Sequence, residues 1–194
     1  MPSWKKLAPA MILMTWLGAL NALADKPAPT RSFKQYSANK AFFMEFTPSK
    51  SFGEEGRGVA KRAATGEPLW EVRWYARRVI LTNDGVHLIR PGTLASDWHR
   101  FSDLAVAFYK NGKELKRYSI GELIKDRTKI KRTASHYFWQ DGYVPEISPD
   151  QRLYPLCLLD GSIYIFEVAT GRMVHNQELT QKIKRARDLY HRGK

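Results

Sequence analysis

Short apolar runs that end in glycine turns recur along this chain and constrain its fold more than any other feature. Asn111-Gly112 follows the run "LAVAFY", and Asp160-Gly161 follows "RLYPLCLL". Both dipeptides tolerate the positive φ angles of tight hairpin turns, and β-branched and aromatic side chains fill a pleated sheet on either side. The same pattern recurs at 78–85 and 162–171, and similar short apolar runs occur at 41–46 and 70–75. It predicts a mainly β protein built from antiparallel hairpins.

The run "LAVAFY" is apolar on both of its faces. Alternate side chains of an extended strand point to opposite sides of the sheet. One face carries Leu104, Val106 and Phe108, and the other carries Ala105, Ala107 and Tyr109. We therefore expect this strand to lie between two layers of a layered β structure.

Two segments have helical signals. Ser119 and Glu122 have the S-x-x-E spacing of a capping box, which predicts a short helix that ends at about Asp126. Over 177–194, an apolar stripe predicts a basic amphipathic helix that docks weakly on its own domain, frays, or binds an anionic surface. The stripe consists of Leu179, Ile183, Ala186 and Tyr190, and the cations around it include Lys182, Lys184, Arg185 and Arg187.

The N-terminal segment has the features of a secretory signal peptide. Lys5 and Lys6 precede an apolar run over 7–20, and Ala22 and Ala24 form an A-x-A cleavage site. We expect residues 1–24 to be this signal and the protein to be periplasmic or secreted; an uncleaved membrane anchor is the alternative. The rest divides into a flexible linker (25–38), one β-repeat domain (39–176) and the basic C-terminal helix or tail (177–194).

The chain is strongly basic. It carries 32 lysines and arginines against 19 acidic residues, a net charge of +13, or +11 (13 − 2) without the leader. Positive charge favours polyanionic neighbours, which for an exported protein are acidic polysaccharides, lipid headgroups or envelope surfaces. We expect the partner to be an unidentified envelope protein or polyanion, not nucleic acid, with membrane contact only through an uncleaved leader.

Three hairpin ends share a turn glycine, at Gly66, Gly112 and Gly171. Their separations of 46 and 59 residues (112 − 66 and 171 − 112) are near the ~40–50-residue period of propeller blades. The segment "VAKRAATGEPLWEV" resembles the A-x-D-x-x-T-G-x-x-x-W blade motif of bacterial quinoprotein-like β-propellers. Ala60, Thr65, Gly66 and Trp70 match this motif, and Arg62 replaces the aspartate.

The motif is partly repeated in "FEVATGRMVH". Thr170 and Gly171 match it, Glu167 approximates the acidic position, and His175 occupies the tryptophan position. In the family the tryptophan docks on an adjacent blade, so the resemblance implies this role for Trp70.

This resemblance implies a propeller-like stack of three to four small antiparallel sheets, with a short helix and a C-terminal helix. A β-sandwich is the alternative. We expect Trp70, Phe108 and Phe166 to be buried on different sheets of the stack.

Few residues have the spacing of a catalytic or metal site. The five histidines form no paired ligand motif, and Cys157 lies in an apolar run, so we expect neither a metal nor a cofactor. Trp98 and His99 lie in a polar loop, and His136 and Trp139 lie in "TASHYFWQDG". Both pairs are candidate binding positions.

Together these patterns favour an exported, non-catalytic β-repeat domain that binds or scaffolds an envelope component. A small periplasmic hydrolase or other enzyme that uses Ser135, His136 or the loop around His99 is the alternative. The candidate binding residues are Trp98, His99, His136, Trp139, Lys182, Lys184, Arg185 and Arg187.

Overall fold

The first two units of the fold are four-stranded antiparallel sheets. The computed structural model describes residues 28–93, 101–132 and 136–193. The first unit consists of β1 (Phe33–Tyr36), β2 (Phe42–Pro48), β3 (Gly56–Arg62) and β4 (Pro68–Val72), paired in chain order. The second unit consists of β5 (Ile80–Leu81), β6 (His87–Pro91), β7 (Leu104–Lys110) and β8 (Lys113–Ser119), also paired in chain order. The described chain is mainly β, as the turn pattern predicts.

The third unit, residues 139–175, is built around one hairpin. A ribbon of β9 (Lys131–Arg132) and β10 (Tyr137–Phe138) precedes it, and β11 (Leu153–Cys157) and β12 (Ile163–Glu167) form the hairpin. The bridge between Gln140 and Leu158 adds a short segment on one side, and the bridge between Phe166 and Met173 adds one on the other. The C-terminal part of the β domain is thus also an antiparallel meander.

The predicted flexible linker over 25–38 contains a strand. β1 pairs with β2 over its whole length, and the Phe33 ring stacks on Phe46 at 5.3 Å between centroids. The Tyr75 hydroxyl also donates a hydrogen bond to the Arg31 carbonyl. The linker prediction is therefore wrong for Phe33–Tyr36, because ring burial and sheet pairing outweigh the polar, proline-rich composition.

Two separate hydrophobic cores lie on the two sides of the second unit. β7 contributes to both, as its two apolar faces predict. The first core, shared with the first unit, includes Met44, Phe46, Ala60, Val72, Leu88, Ala107 and Tyr109. The second core, shared with the third unit, includes Val106, Phe108, Tyr118, Tyr137, Trp139, Tyr154 and Phe166.

One detail of β7 differs from simple alternation. Its register against β8 shifts between Leu104 and Val106, so Ala105 joins the second core while Leu104 packs against the first. A β-bulge of this kind turns neighbouring side chains to unexpected faces. The architecture is a stack of three layers with two cores, whereas a β-sandwich has two sheets around one core.

The two α-helices lie after the second and third units. α1 (Ile120–Leu123) begins with the predicted capping box, in which Ser119 and Glu122 bond reciprocally. It ends before the predicted Asp126 because Ile124 is extended and buried. α2 spans Gln177–Arg192 with Asn176 as its N-cap. Within 28–93, 101–132 and 136–193, no helix is long and apolar enough to cross a membrane.

The outer face of the first unit carries ion pairs, and its one buried aromatic ring, Phe43, is covered by Tyr36 and Lys34 of the same sheet. The Glu45 carboxylate lies 2.6 Å from the Lys61 ammonium and 3.7 Å from that of Lys34. Arg57 and Glu71 form another ion pair on the neighbouring strands β3 and β4. This face ends the stack with charged side chains that stay in water.

The outer face of the third unit is apolar and lies under α2. Cys157 and Ile165 are buried, yet neither belongs to the two cores. They alternate along β11 and β12 with residues of the second core, so they point to the opposite face of the hairpin. Ile183 of the predicted stripe is buried, and the Tyr190 ring packs 5.8 Å from that of Tyr143. α2 therefore docks and closes this end of the stack.

Candidate functional site

Three turns with the same hydrogen bonds, one in each unit directly before β2, β6 or β11, are linked to one another. Each has serine or threonine first, asparagine or aspartate third, and the first residue of a strand sixth. We call them polar turn 1 (37–42), polar turn 2 (82–87) and polar turn 3 (148–153). Their fourth residues, Lys40, Gly85 and Gln151, all have positive φ, at 58°, 69° and 59°.

Side-chain oxygens hold each polar turn closed. In polar turn 3, the Ser148 hydroxyl donates to Asp150 Oδ1 at 2.6 Å and accepts from the Leu153 N–H at 2.9 Å. The third residue's oxygen also accepts the N–H of the fifth residue, as Asp150 does from Arg152. Such turns replace backbone bonds with side-chain bonds. The same contacts involve Ser37 and Asn39 in polar turn 1, and Thr82 and Asp84 in polar turn 2.

Asn83 connects all three polar turns. Its side-chain oxygen accepts the Asn39 N–H at 2.8 Å, and its carbonyl accepts the Asn39 amide at 3.1 Å. Its own N–H donates to Gln151 Oε1 at 2.6 Å. The polar turns thus join the three units along one side of the stack.

A cavity of about 360 Å³ lies between polar turns 2 and 3 and the segment 167–169. Its charged and titratable lining residues are Asp84, His87, Asp150, Arg152 and Glu167. A site of this composition can hold a small polar molecule in contact with both acidic and basic groups.

Asp84 and His87 form a hydrogen-bonded pair in this cavity, with 2.7 Å between Oδ2 and Nδ1. Burial opposes ionisation of Asp84, but hydrogen bonds from Thr82, Val86 and His87 outweigh it and lower its pKa to about 2. The carboxylate is therefore ionised and accepts the Nδ1 proton of His87. This contact leaves Nε2 as the basic nitrogen of the imidazole.

The other two carboxylates of the cavity bond to their own turns. The Ser148 hydroxyl and the Arg152 N–H lower the pKa of Asp150 below its ordinary value. The Thr170 hydroxyl donates to Glu167 at 2.6 Å. These acids hold loops in place, and His87 is the lining side chain with a basic nitrogen to offer.

A buried ion pair fastens α2 to the third unit. The buried Asp141 carboxylate accepts hydrogen bonds from Arg187, at 2.9 Å to Nε, and from His191, at 2.8 Å to Nε2. Arg187 also donates to the carbonyls of Gly161 and Leu158. These contacts fix which face of α2 turns to solvent.

Three of the four predicted basic residues of α2 lie on its exposed side. Lys182, Lys184 and Arg185 are exposed, and no residue of the described chain forms an ion pair with them. Arg187, the fourth, is half-buried, and its guanidinium faces the buried Asp141 carboxylate instead of solvent.

The two described aromatic candidates, His136 and Trp139, are not exposed. Trp139 belongs to the second core, where its indole N–H donates to the Thr93 carbonyl at 3.0 Å. Its prediction as a binding residue is wrong because the ring is fully packed. His136 is half-buried and has a protein partner. Trp98 and His99 lie outside the described residues.

Trp70 is half-buried and docks on the second unit. Its indole N–H donates to the Gly85 carbonyl at 2.8 Å. Phe108 and Phe166 are fully buried on β7 and β12, so the expectation of burial on different sheets is confirmed for these two and too strong for Trp70.

Sequence reasoning missed the His87 cavity and the Asp141 ion pair. The polar turns leave a local signal, because a Ser/Thr-x-Asn/Asp pattern begins each of them. Asp141 leaves none, since its partner Arg187 lies 46 residues away (187 − 141).

No protein-family model matches the chain, and neither the curated proteins nor the solved structures contain a match.

Proposed function

We propose that this chain is an exported, non-catalytic β-repeat protein that binds a polyanion of the bacterial envelope through the exposed side of α2. One observation carries the proposal. The Asp141 ion pair and the buried Ile183 hold α2 in a fixed orientation, while Lys182, Lys184 and Arg185 project into solvent.

A fixed basic surface suits this role. The cations of a docked helix lose less freedom on binding than those of a free tail, so more of the electrostatic attraction appears as affinity. The net charge of +13 adds a long-range attraction for polyanions. Binding should weaken steeply with salt, because the Debye length falls from about 10 Å at 0.1 M to about 3 Å at 1 M.

We also propose that the scaffold is an open, propeller-like stack, because successive units dock in the same way. A Cβ on Gly112 would lie 2.3 Å from the Glu71 carbonyl oxygen of the preceding unit. A Cβ on Gly171 would lie 2.7 Å from Lys116 Cβ of its preceding unit. The turn of each later unit thus packs on the last strand of the unit before it.

The binding experiment compares two charge-matched variants. Lys182→Gln, Lys184→Gln and Arg185→Gln combined should weaken binding to an acidic polysaccharide and to anionic vesicles at least tenfold at 0.1 M salt. Lys40, Lys110 and Lys113 are exposed elsewhere, and their combined change to Gln removes the same charge. Equal losses in the two triple variants would assign binding to net charge and contradict a site on α2.

A second candidate, a small periplasmic hydrolase, is favoured by the Asp84–His87 pair. With Nδ1 held by the Asp84 carboxylate, Nε2 of His87 can accept a proton from water as the water attacks an ester. Arg152 of the same cavity can bind an anionic substrate group.

The test for the hydrolase is turnover of carboxylic and phosphoric esters by the protein and by His87→Ala. Activity that His87→Ala abolishes and Asp84→Asn lowers would support this candidate. Activity that survives His87→Ala unchanged would reject it.

A further inference from the structure

Among the large apolar side chains of the described residues, Leu189 is the most exposed, at 69%. It lies in the C-terminal half of α2, away from the buried Ile183. A single exposed leucine is ordinary on a protein surface. Its surroundings on the helix are what single it out.

Leu189 stands in the middle of a basic surface. At 100° per residue, Lys182, Arg185 and Arg192 all lie within about 60° of Leu189 around the helix axis. Glu178 has a similar direction but lies about 16 Å away along the axis. Asp188 lies about 100° to one side. The last three turns therefore present one leucine surrounded by three cations.

The docked orientation keeps this surface outward. Arg187 and His191 face Asp141, and Tyr190 contacts Tyr143, so the opposite side of α2 cannot turn toward the protein. In this orientation the Leu189 side chain stays 69% exposed. Its burial requires an external apolar phase.

We propose that the polyanion bound by α2 is the headgroup surface of an anionic lipid bilayer, with Leu189 inserted at the boundary of the acyl chains. This inference rests on the proposed binding function of α2 and names its partner. Lys182, Arg185 and Arg192 reach lipid phosphates, and their aliphatic stems lie along the interface. An acidic polysaccharide offers the same charge but no apolar phase for Leu189, so the leucine favours the lipid.

The test separates the leucine from the cations. Leu189→Gln should weaken binding to vesicles of phosphatidylglycerol and phosphatidylcholine about tenfold, and it should leave binding to a sulfated polysaccharide unchanged. Leu115→Gln is the matched control, because Leu115 is an exposed leucine on β8 beside Lys116 and Arg117. This control should bind vesicles like the unchanged protein.

A label at the same position reports insertion directly. Cys157 is buried, so a polarity-sensitive dye on Leu189→Cys marks α2 alone. Its emission should shift to the blue with anionic vesicles and stay constant with the polysaccharide.

Each remaining outcome has one meaning. Equal vesicle binding by Leu189→Gln and the unchanged protein, or an equal loss with Leu115→Gln, would overturn the lipid assignment. Suppose that in that case the triple Gln variant of Lys182, Lys184 and Arg185 still loses binding to the acidic polysaccharide. The polyanion function of α2 then stands, and its partner is a polysaccharide. If the cation variant binds normally, the proposed function itself fails.

Discussion

The two ends of the stack are closed by different means. The outer face of the first unit carries the ion pairs of Glu45 with Lys34 and Lys61, and side chains of the same sheet cover its buried Phe43. The outer face of the third unit carries Cys157 and Ile165 and is covered by α2. A repeated fold can end in a sheet that is itself polar or in an apolar sheet with an added element. Only the second solution makes the last unit depend on a helix from outside the repeat.

The largest expected effect concerns the thiol under α2. Burial raises the pKa of Cys157 to about 12, so the native thiol should resist alkylation. Ile183→Asp places a charge in the contact and should release α2. At pH 8 the thiolate fraction should then rise about a thousandfold as the pKa returns to its ordinary value. The alkylation rate of Cys157 follows its thiolate fraction and can be measured by mass spectrometry. An equal alkylation rate in Ile183→Asp and the unchanged protein would show that α2 does not cover Cys157.

Truncating side chains at the two ends should give unequal losses of stability. Ile183→Ala should lower the free energy of unfolding by about 2–4 kcal/mol, as for other buried large aliphatic residues. Val59→Ala, on the outer face of the first unit, should cost less than about 1 kcal/mol because its surroundings are already solvated. Denaturant titration of both variants decides this, and equal losses would remove the contrast between the ends.

Disrupting the ion pair at the α2 end should also cost more stability than disrupting the ion pairs on the outer face of the first unit. Asp141→Asn leaves the half-buried Arg187 without its charge partner and should cost about 1–3 kcal/mol. Glu45→Gln disrupts ion pairs that are partly open to solvent and should cost less than about 1 kcal/mol. Thermal unfolding at one pH and salt concentration compares them. A larger loss for Glu45→Gln would mean that the first unit depends on its charges after all.

The smallest effect is the response of the first unit to acid. The hydrogen bond from Lys61 is the main cause that lowers the pKa of Glu45 below its ordinary 4.5. Glu45 therefore stabilises the fold above pH 4.5, and this contribution is lost as the pH falls through the lowered pKa. Glu45→Gln should lack that part of the pH dependence below pH 4.5. Identical pH profiles for the two proteins would contradict this small contribution.

Features that depend on near neighbours could be predicted from the sequence. The hairpin turns, the capping box at Ser119 and the stripe around Ile183 are each set by residues a few positions apart. The burial of both faces of β7 could be predicted because the strand carries apolar side chains on each face. Such signals persist because backbone geometry fixes the direction of neighbouring side chains.

Features that depend on distant partners could not be predicted. Arg90 of β6 is buried because Glu54 forms an ion pair with it and the Trp74 ring lies 4.3 Å from its guanidinium. A charge at a strand end ordinarily indicates solvent. The polar turns were missed because their starts are unevenly spaced, 45 and 66 residues apart (82 − 37 and 148 − 82). Their shared Ser/Thr-x-Asn/Asp start is a local signal, and the hydrogen bonds show that the three turns are built alike.

The double role of β7 has a consequence for the order of folding. Once the first two units have been synthesised, the first unit can bury one face of β7. Val106 and Phe108, on the other face, stay exposed until the third unit is present. A partly synthesised chain therefore exposes an apolar aromatic surface until 49 further residues, up to Val168, have been added (168 − 119). We therefore expect the chain to stay unfolded, or to be bound by a chaperone, until its C-terminal part has been synthesised.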